Sequence, residues 1–466
     1  MDTQKIKIED LSEEGYSIGH LDGRVIFVQG ICTPGDDVEI KIFKKKKNYS
    51  LANLVSILHK DETNNVKPLC SHFGVCNGCQ WQHVLYEKQL KIKNQHVLDK
   101  MERIAKLDLA QVKVNNIIGA KKLTHYRNKL EYTFSCQCWI SEEQIKNNVE
   151  IANKNALGFH KMKYFNKIVP ISTCFLQQDP SNAIRNAIDT FCKENGFSYY
   201  NFHEHTGDLR NLIIKTTTIN QIMVIVQFGD VEEKKIHLLM NFLKTTFPQI
   251  TSLQYIVNKK LNETYFDLDV KTFYGEDHLI EEMDGLRWKI KAKSFFQTNT
   301  QQASILYKKI LELSQASKED IVYDLYTGVG TIALYFARHV KKVIGVEIIE
   351  SAIEDAKENA KLNDIKNSLF FCGDVKDVVT EDFILQHGKP DIFIIDPPRS
   401  GIHPQVIETI LKIRPKTLIY VSCNPSTQAR DIFALKENYN VKQIQPVDMF
   451  PNTYHVENIC ALELKA

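Results

Sequence analysis

The sequence predicts an α/β protein whose C-terminal part is a Rossmann-like, doubly wound domain, preceded by an OB-like N-terminal β-barrel and a strand-rich central region. In the C-terminal part, strand-like apolar runs at 321–326, 342–347 and 370–374 each end in a polar or acidic residue. A glycine turn and a helix-like run follow the first of them, as in nucleotide-binding βαβ units. Residues 1–60 alternate short apolar segments with turns, which is typical of a small barrel.

The glycine turn Thr327-Gly-Val-Gly-Thr331 predicts the cofactor. Its two glycines, Gly328 among them, allow a tight bend and a close approach of the backbone to a ligand, but the third glycine of a dinucleotide fingerprint is missing. Glu347 ends the second strand near the spacing of a ribose-binding acid, and Asp374 follows the third. An acid without a diphosphate glycine triplet favours S-adenosylmethionine over NAD.

A candidate nucleophile follows a later strand. The apolar run that begins at Leu418 stops at a Ser-Cys-Asn-Pro turn and leaves Cys423 at its carboxyl end. Ligands of open α/β sheets gather at such ends, although a free cysteine is more often a small buried hydrophobe. Asp396-Pro-Pro-Arg399 and His455-Val-Glu457 favour a site, because a cysteine nucleophile with a carboxylate is the arrangement needed to methylate carbon 5 of uracil.

With these motifs the chain resembles the RNA uracil-C5 methyltransferase family over nearly its whole length. The matching segments are Ser294-Phe-Phe-Gln-Thr-Asn299, Asp324-Leu-Tyr-Thr-Gly-Val-Gly330, Asp396-Pro-Pro-Arg399, Ser422-Cys-Asn-Pro425 and Phe450-Pro-Asn-Thr-Tyr-His-Val-Glu457. The resemblance implies a class I methyltransferase domain, with Cys423 as the nucleophile and Glu457 as the base. Asn452 stands where many members have histidine. The predicted S-adenosylmethionine contacts are Gln297, Tyr326, Gly328, Glu347, Asp374 and Asp396.

A second cluster has the spacing of metal ligands. Three cysteines lie within ten residues, with Gly74 and Gly78 to bend the loop, so that the thiols can converge on one centre. Zinc is one occupant of such a site. The family resemblance implies a [4Fe-4S] cluster with a fourth, distant ligand; Cys136 and Cys138, the competitors for that position, have the alternate spacing of a strand. The predicted ligands are Cys70, Cys76, Cys79 and Cys174.

The net charge of +2 does not by itself indicate a nucleic-acid partner. The prediction of RNA contacts therefore depends on where the basic residues are concentrated. The run from Lys41 to Tyr49 combines lysines with aromatic residues, which suits phosphate binding and base stacking, although a solvated hairpin explains it equally well. The first 60 residues resemble a TRAM domain, an RNA-binding module of this family. Arg127 is a further candidate by resemblance. The predicted RNA-binding lysines are Lys44, Lys45, Lys46 and Lys47.

Length and composition are those of a multi-domain enzyme. The 466 residues suggest about three domains. We expect a barrel at 1–60, a central domain at 61–285 and a methyltransferase domain at 286–466, with an amphipathic helix near 88–120 that packs on a neighbouring domain. The polar N-terminus, the absence of a long apolar stretch and the 11 cysteines predict a cytoplasmic protein with ligand and free thiols, no membrane association and no disulfide framework. We expect the protein to be a monomer.

The sequence therefore predicts an S-adenosylmethionine-dependent enzyme that makes 5-methyluridine in RNA, with 23S ribosomal RNA as the expected substrate. Transfer RNA is the alternative within this class. From a different class, the chain would be a non-catalytic RNA-binding or ribosome-assembly factor. The presence of both Cys423 and Glu457 argues against that alternative, because a module that only binds RNA needs neither.

Overall fold

The structure, a computed structural model, describes residues 3–13, 15–148, 153–162 and 164–466. Residues 1 and 2 lie outside these ranges. They belong to the polar N-terminal segment from which we predicted that there is no secretory signal. In the described part, a five-stranded barrel, a seven-stranded sheet, a hairpin and an eight-stranded sheet make up the β-structure. None of the helices in these ranges is both long enough and apolar enough to cross a bilayer.

The N-terminal strands form a closed barrel in the order β1-β2-β3-β5-β4, with β4 paired back to β1. Alternate residues point inwards, for example Ile6 and Ile8 on β1 and Ile26 and Val28 on β3, all of which are buried. The prediction of a small barrel is confirmed. The strands are β1 (Gln4–Leu11), β2 (Ser17–Leu21), β3 (Arg24–Gln29), β4 (Asp37–Lys45) and β5 (Tyr49–His59).

The predicted helix near 88–120 is shorter than expected. Helix α1 (Tyr86–Arg103) ends before Lys106, whose left-handed backbone (φ 56°) cannot continue an α-helix. A short 3-10 turn (Leu109–Gln111) and strand β6 (Lys113–Val114) lie in the remaining range, and β6 pairs with the eight-stranded sheet. Val97 and Met101 on α1 pack into the core of that sheet, as the apolar spacing predicts.

The central region is a seven-stranded sheet in the order β13-β12-β11-β10-β7-β8-β9. Every residue of β11 is buried, since helices cover one face of the sheet and other strands surround the segment. The strands are β7 (Lys129–Ser135), β8 (Ala156–His160), β9 (Ile168–Pro170), β10 (Leu209–Thr216), β11 (Ile222–Phe228), β12 (Ser252–Val257) and β13 (Lys271–Gly275). The helices of this region are α2 (Glu142–Lys146), α3 (Ser181–Glu194) and α4 (Glu233–Thr246).

A hairpin joins the central region to the last sheet. Its strands β14 (His278–Met283) and β15 (Leu286–Lys291) place Trp288 and neighbouring apolar side chains in the core of the eight-stranded sheet. The domain boundary predicted at 285 therefore falls in the turn of a hairpin that contacts both parts, since Leu279 packs in the core of the central sheet and Trp288 in that of the C-terminal sheet.

The C-terminal sheet has the order β18-β17-β16-β19-β20-β22-β21-β6, and β16 to β20 run parallel. The strand order reverses between β16 and β19, where ligands of doubly wound folds bind. Its strands are β16 (Ile321–Leu325), β17 (Lys342–Glu347), β18 (Ser368–Cys372), β19 (Ile392–Ile395), β20 (Thr417–Ser422), β21 (Tyr439–Val447) and β22 (Glu457–Leu464). The helices are α5 (Thr300–Ser314), α6 (Thr331–Ala337), α7 (Glu350–Leu362), α8 (Val375–Val378), α9 (Glu381–His387), α10 (Pro404–Ile413) and α11 (Pro425–Leu435). The predicted Rossmann-like fold is confirmed.

Candidate active site

Two adjoining cavities lie at the carboxyl edge of the parallel strands. The larger, of about 890 Å³, extends from the end of β16 to the hairpin and the central sheet. The smaller, of about 700 Å³, shares part of its wall with the first and continues past β18 towards α10. The six residues predicted to contact the cofactor all line these cavities: Gln297, Tyr326, Gly328, Glu347 and Asp396 the larger one, and Asp374 the smaller one.

The two glycines of the turn after β16 have different roles. A Cβ on Gly328 would meet nothing within 4 Å, so this stretch of backbone is open to a ligand. A Cβ on Gly330 would lie 3.1 Å from the Ala356 Cβ, which shows that Gly330 serves close packing of α6 and α7. The Gly328 N–H donates to Glu347 Oε2 at 3.1 Å and thereby fixes the acid at the mouth of the turn. The residues present fit an adenosyl ligand.

Asp324 on β16 supports this turn from below. Its Oδ2 accepts hydrogen bonds from the Thr327 hydroxyl at 2.6 Å and from the Ala333 N–H at 3.0 Å. Burial raises the pKa of Asp324 to about 7. This role of Asp324 was not predicted, although a carboxylate inside an apolar strand is a signal for one.

Cys423 and Glu457 come together across the edge of the sheet, beside Asp396. Cys423 follows β20, and Glu457 opens the neighbouring strand β22. Burial raises the pKa of the Cys423 thiol to about 11, and the negative charge of Glu457 adds to this effect. Burial also raises the pKa of Glu457 well above its ordinary value, with a further contribution from the charge of Asp396.

Arg399 opposes these shifts. Its guanidinium lowers the pKa of Cys423 by its charge and by a hydrogen bond, and its charge also lowers the pKa of Glu457. The Arg399 side chain in turn donates to His455 Nδ1 at 2.8 Å. Burial and the charge of Arg399 lower the pKa of His455 to about 4, so the imidazole is neutral at pH 7 and accepts this hydrogen bond. Both residues belong to the sequence motifs, but nothing in their spacing indicates that they pair.

The four predicted metal ligands lie around a separate cavity of about 30 Å³. Burial raises the pKa of the Cys76 and Cys79 thiols to about 12, and each is raised further by neighbouring cysteines. Four thiols that share one buried cavity fit the donor set of an iron–sulfur or zinc centre. Within the described ranges, however, no group of three or more His, Cys, Asp or Glu side chains is arranged to hold a metal ion. The metal site stays a prediction.

Cys136 and Cys138, the competitors for the fourth ligand position, take no part in that cavity's lining. Cys136 directly follows β7, and Cys138 forms an isolated β-bridge with Ile168. Cys138 also packs in a small apolar cluster with Ala156 and Ile168. These contacts agree with a structural role for the Cys136–Cys138 segment.

The basic candidates occupy two different places. The lysine run lies at the end of β4 and in the following turn, where Lys44, Lys45, Lys46 and Lys47 are all exposed. Arg24 holds this turn from beneath through a hydrogen bond to the Tyr49 carbonyl at 3.1 Å. Arg127 precedes β7 of the central region, and its guanidinium lies 5.5 Å from the centre of the Phe450 ring. Its positive charge also lowers the pKa of His455, which places Arg127 near the candidate active site.

Comparison with known proteins agrees with this geometry. A family model described as tRNA (Uracil-5-)-methyltransferase matches residues 217–465, and a TRAM domain model matches residues 2–55. An uncharacterized RNA methyltransferase of Bacteroides thetaiotaomicron is 46% identical over 98% of this chain and 100% of its own length. One of Porphyromonas gingivalis is 41% identical over 98% of this chain and 99% of its own length.

A solved structure extends the likeness to the whole fold. The Pyrococcus abyssi tRNA (uracil-54, C5)-methyltransferase, in complex with S-adenosyl-L-homocysteine, superimposes with a TM-score of 0.73 at 26% identity, covering 98% of this chain and 100% of that one. The C-terminal sheet is thus a class I methyltransferase domain, and the N-terminal barrel is a TRAM domain. The chain belongs to the S-adenosylmethionine-dependent RNA uracil-5-methyltransferase family.

Proposed function

We propose that this enzyme methylates carbon 5 of a uridine in RNA through a covalent intermediate on Cys423. The observation that carries the proposal is the position of Asp396. Asp396 lines the cofactor cavity, and its charge raises the pKa of both Cys423 and Glu457. The candidate nucleophile, the candidate base and the cavity for the methyl donor therefore meet at one point.

Each residue has a definite task. Carbon 5 of uracil is a poor nucleophile, so the Cys423 sulfur adds to carbon 6 and makes an enolate whose carbon 5 is electron-rich. S-adenosylmethionine, when bound, supplies an electrophilic methyl group. Glu457 then takes the proton from carbon 5, the C5–C6 double bond forms again, and the sulfur leaves carbon 6. The bonds to sulfur and to the proton break in the same elimination, which returns Cys423 to its starting state.

The electrostatics suit this sequence of steps. With a pKa near 11, the Cys423 thiol is protonated at pH 7 in the free enzyme, so its reactivity depends on the thiolate fraction that Arg399 favours. A carboxyl whose pKa is raised is a stronger base when it is ionised, which suits Glu457 for removing a proton from carbon.

The direct test uses RNA in which 5-fluorouridine replaces uridine. Fluorine at carbon 5 cannot leave as a proton, so the wild-type enzyme with S-adenosylmethionine should remain joined to the RNA as an adduct that survives denaturation. Cys423→Ala should form none. Cys372→Ala is the matched control, because Cys372 is an exposed thiol of the same domain. An adduct that survives in Cys423→Ala and disappears in Cys372→Ala would overturn the proposal.

We propose 23S ribosomal RNA as the substrate. The combination of a TRAM barrel with a four-cysteine cavity supports this choice through the family resemblance. Transfer RNA is the second candidate, because the Pyrococcus abyssi enzyme of the same architecture is a tRNA methyltransferase. Mapping 5-methyluridine in both RNAs from a deletion strain separates the two: a uridine that loses its methyl group in tRNA alone would favour the second candidate.

We also propose that Cys70, Cys76, Cys79 and Cys174 hold a [4Fe-4S] cluster with a structural role. Their placement around one cavity supports this, because thiolates gathered at one point need a cation to offset their repulsion. Methyl transfer involves no electron transfer, so the chemistry at Cys423 does not require the cluster. Iron and sulfide analysis of protein purified without oxygen tests this.

A further inference from the structure

The turn between β21 and β22, residues 448–456, presents His455 and leads directly into Glu457. We call it the catalytic turn. It is held from the N-terminal half of the chain, by α1 and by the segment that follows the last cysteine of the cluster. These contacts join residues more than 300 positions apart, and the proposed mechanism gives them no role.

Gln89 of α1 and Asn452 of the catalytic turn form a two-way hydrogen-bonded pair. The Asn452 N–H donates to Gln89 Oε1 at 2.9 Å, and Gln89 Nε2 donates to Asn452 Oδ1 at 3.2 Å. Asn452 Nδ2 also donates to the Leu123 carbonyl at 3.0 Å. Gln89 is 1% and Asn452 is 7% exposed, so water cannot readily replace these bonds.

The backbone of Asn452 adds two further attachments. Its φ of 66° is left-handed, a conformation that asparagine tolerates better than most residues. Its carbonyl accepts hydrogen bonds from the N–H groups of Gln80 and Trp81, both at 3.0 Å. Every hydrogen-bonding group of Asn452 is therefore engaged with a segment outside the methyltransferase sheet.

The neighbouring residues strengthen the same attachment. Tyr454 packs on a small apolar cluster that includes Trp81 and, from α1, Ile92. At the start of the turn, the fully buried Lys93 ammonium lies 2.7 Å from Asp448 Oδ1 and also donates to the Phe450 carbonyl at 3.1 Å. The catalytic turn is thus fixed at its beginning, its middle and its end by one face of α1 and the adjoining segment.

We infer that Gln89 and Asn452 are positioning residues for the elimination step, because they set the direction in which the catalytic turn delivers Glu457 to carbon 5. The inference rests on the proposed function, in which Glu457 is the base. Neither residue lines either cofactor cavity, so we expect changes in the pair to leave cofactor affinity unchanged. A displaced base slows proton removal but leaves methyl transfer, which precedes it, intact.

The test follows both steps in a single turnover. Ribosomal and transfer RNA from a strain lacking the gene are mixed with enzyme and S-adenosylmethionine carrying a labelled methyl group. Label in RNA measures methyl transfer, and denaturation-resistant protein–RNA adduct measures delayed release. Gln89→Leu and Asn452→Gly should transfer methyl near the wild-type rate, release product about 10- to 100-fold more slowly and accumulate labelled adduct. Glycine keeps the left-handed φ and removes only the side-chain bonds.

Three references make the result decisive. Gln95→Leu is the matched control, since Gln95 is an exposed residue on the same helix. Glu457→Gln marks the signal of a lost base; if it accumulates no adduct, the proposed function itself fails. If Glu457→Gln accumulates adduct while Gln89→Leu and Asn452→Gly release product like Gln95→Leu, only the positioning inference is wrong. Equal losses of cofactor affinity, methyl transfer and release in both variants would also overturn it, because they indicate a general structural role.

Asn452→Asp provides a further variant that tests the bond to the Leu123 carbonyl. It keeps the acceptor for Gln89 and the tolerance for a left-handed φ, but it places a carboxylate oxygen, which cannot donate, against that carbonyl in a site that is only 7% exposed. We therefore expect a delay in release at least as large as in Asn452→Gly. Release at the wild-type rate would contradict the positioning role.

Discussion

Two regions of this enzyme enclose thiols, and they differ in what stands beside the sulfur. Cys423 is a single thiol between a cation, Arg399, and an acid, Glu457. The other region gathers Cys70, Cys76, Cys79 and Cys174 around one cavity, where nearby thiols raise one another's pKa. Burial raises the thiol pKa in both regions, so burial alone does not distinguish a nucleophile from a ligand set.

The difference lies in how the thiolate charge is relieved. At Cys423 the Arg399 side chain opposes the rise in the thiol pKa, and it leaves the sulfur free to attack a substrate. Around the four-thiol cavity neighbouring thiolates would repel one another, and the proposed metal centre would supply the positive charge that offsets this repulsion. Cys423 is therefore suited to a reversible covalent bond with a substrate, whereas the four-thiol cavity is suited to holding the proposed metal centre permanently.

The largest expected effect comes from removing the lone thiol. Cys423→Ala should lower the rate of methyl transfer by a factor of about 10⁴ or more, because no other group can form the carbon 6 bond. Cofactor affinity should be unchanged, as measured by calorimetry, since Cys423 is absent from the lining of both cofactor cavities. If the Cys423→Ala variant turned over at the wild-type rate, Cys423 would not be the nucleophile, and the two thiol regions would no longer differ in this respect.

The second effect concerns the four-thiol cavity. Protein purified without oxygen should be brown and contain iron and sulfide, and Cys79→Ser should lose both because one ligand is gone. The melting temperature of that variant should fall by about 5 °C or more, because metal binding contributes to folding. Cys192→Ser is a matched control for a buried cysteine, since Cys192 lies in the central core and does not line the cavity. A colourless wild type with stoichiometric zinc would contradict the iron–sulfur prediction.

The third effect sharpens the role of Arg399. Because the pKa of Cys423 is raised to about 11, its alkylation by iodoacetamide in the free enzyme should still increase up to that pH, about tenfold per unit at lower pH. Arg399→Gln removes a charge that lowers this pKa, so alkylation at pH 8 should become about 3- to 10-fold slower. Peptide mass spectrometry measures modification at this residue. Arg414→Gln, at the end of α10, is the control. A rate that stops rising near pH 9 would contradict the raised pKa.

The predicted cofactor contacts lie at the cavities because strand ends and the polar residues that follow them are recognisable from local sequence patterns. The acids of the cofactor cavities and the thiol after β20 stand where the strand periodicity places them. Helix α1 was predicted too long, since nothing in the spacing of apolar residues reveals that Lys106 adopts a left-handed backbone. The periodicity also marked the apolar face of α1, yet Gln89 and Lys93 are buried on the same helix.

The positioning network could not be predicted for a physical reason. Gln89 is a polar residue in an amphipathic helix, and only its partner 363 positions away makes its burial favourable. Lys93 is likewise tolerated in the core because Asp448 neutralises it. Such groups look like surface residues until the tertiary structure supplies the partner, whereas a strand-end acid is recognisable from its neighbours in sequence.

The smallest expected effect tests whether the barrel takes part in RNA binding. Lys44 and Lys45 are exposed at the end of β4, so replacing both with glutamine should remove phosphate contacts without changing the barrel core. Binding to long RNA should weaken about tenfold at low salt, and the slope of log affinity against log salt should become shallower by about 1.4 for two lost contacts to single-stranded RNA. Filter binding across a salt series measures both, and cofactor affinity should stay unchanged.

A charge-matched control decides whether the position or only the charge of these lysines matters. Lys5 and Lys7 are exposed on β1 of the same barrel, so Lys5→Gln with Lys7→Gln removes the same charge from another place. If the β4 pair touches RNA, its loss should weaken binding and flatten the salt slope more than loss of the β1 pair. If the two double variants weaken binding equally, the lysines act only through net charge. The RNA surface would then have to be sought around Arg127, beside the catalytic turn.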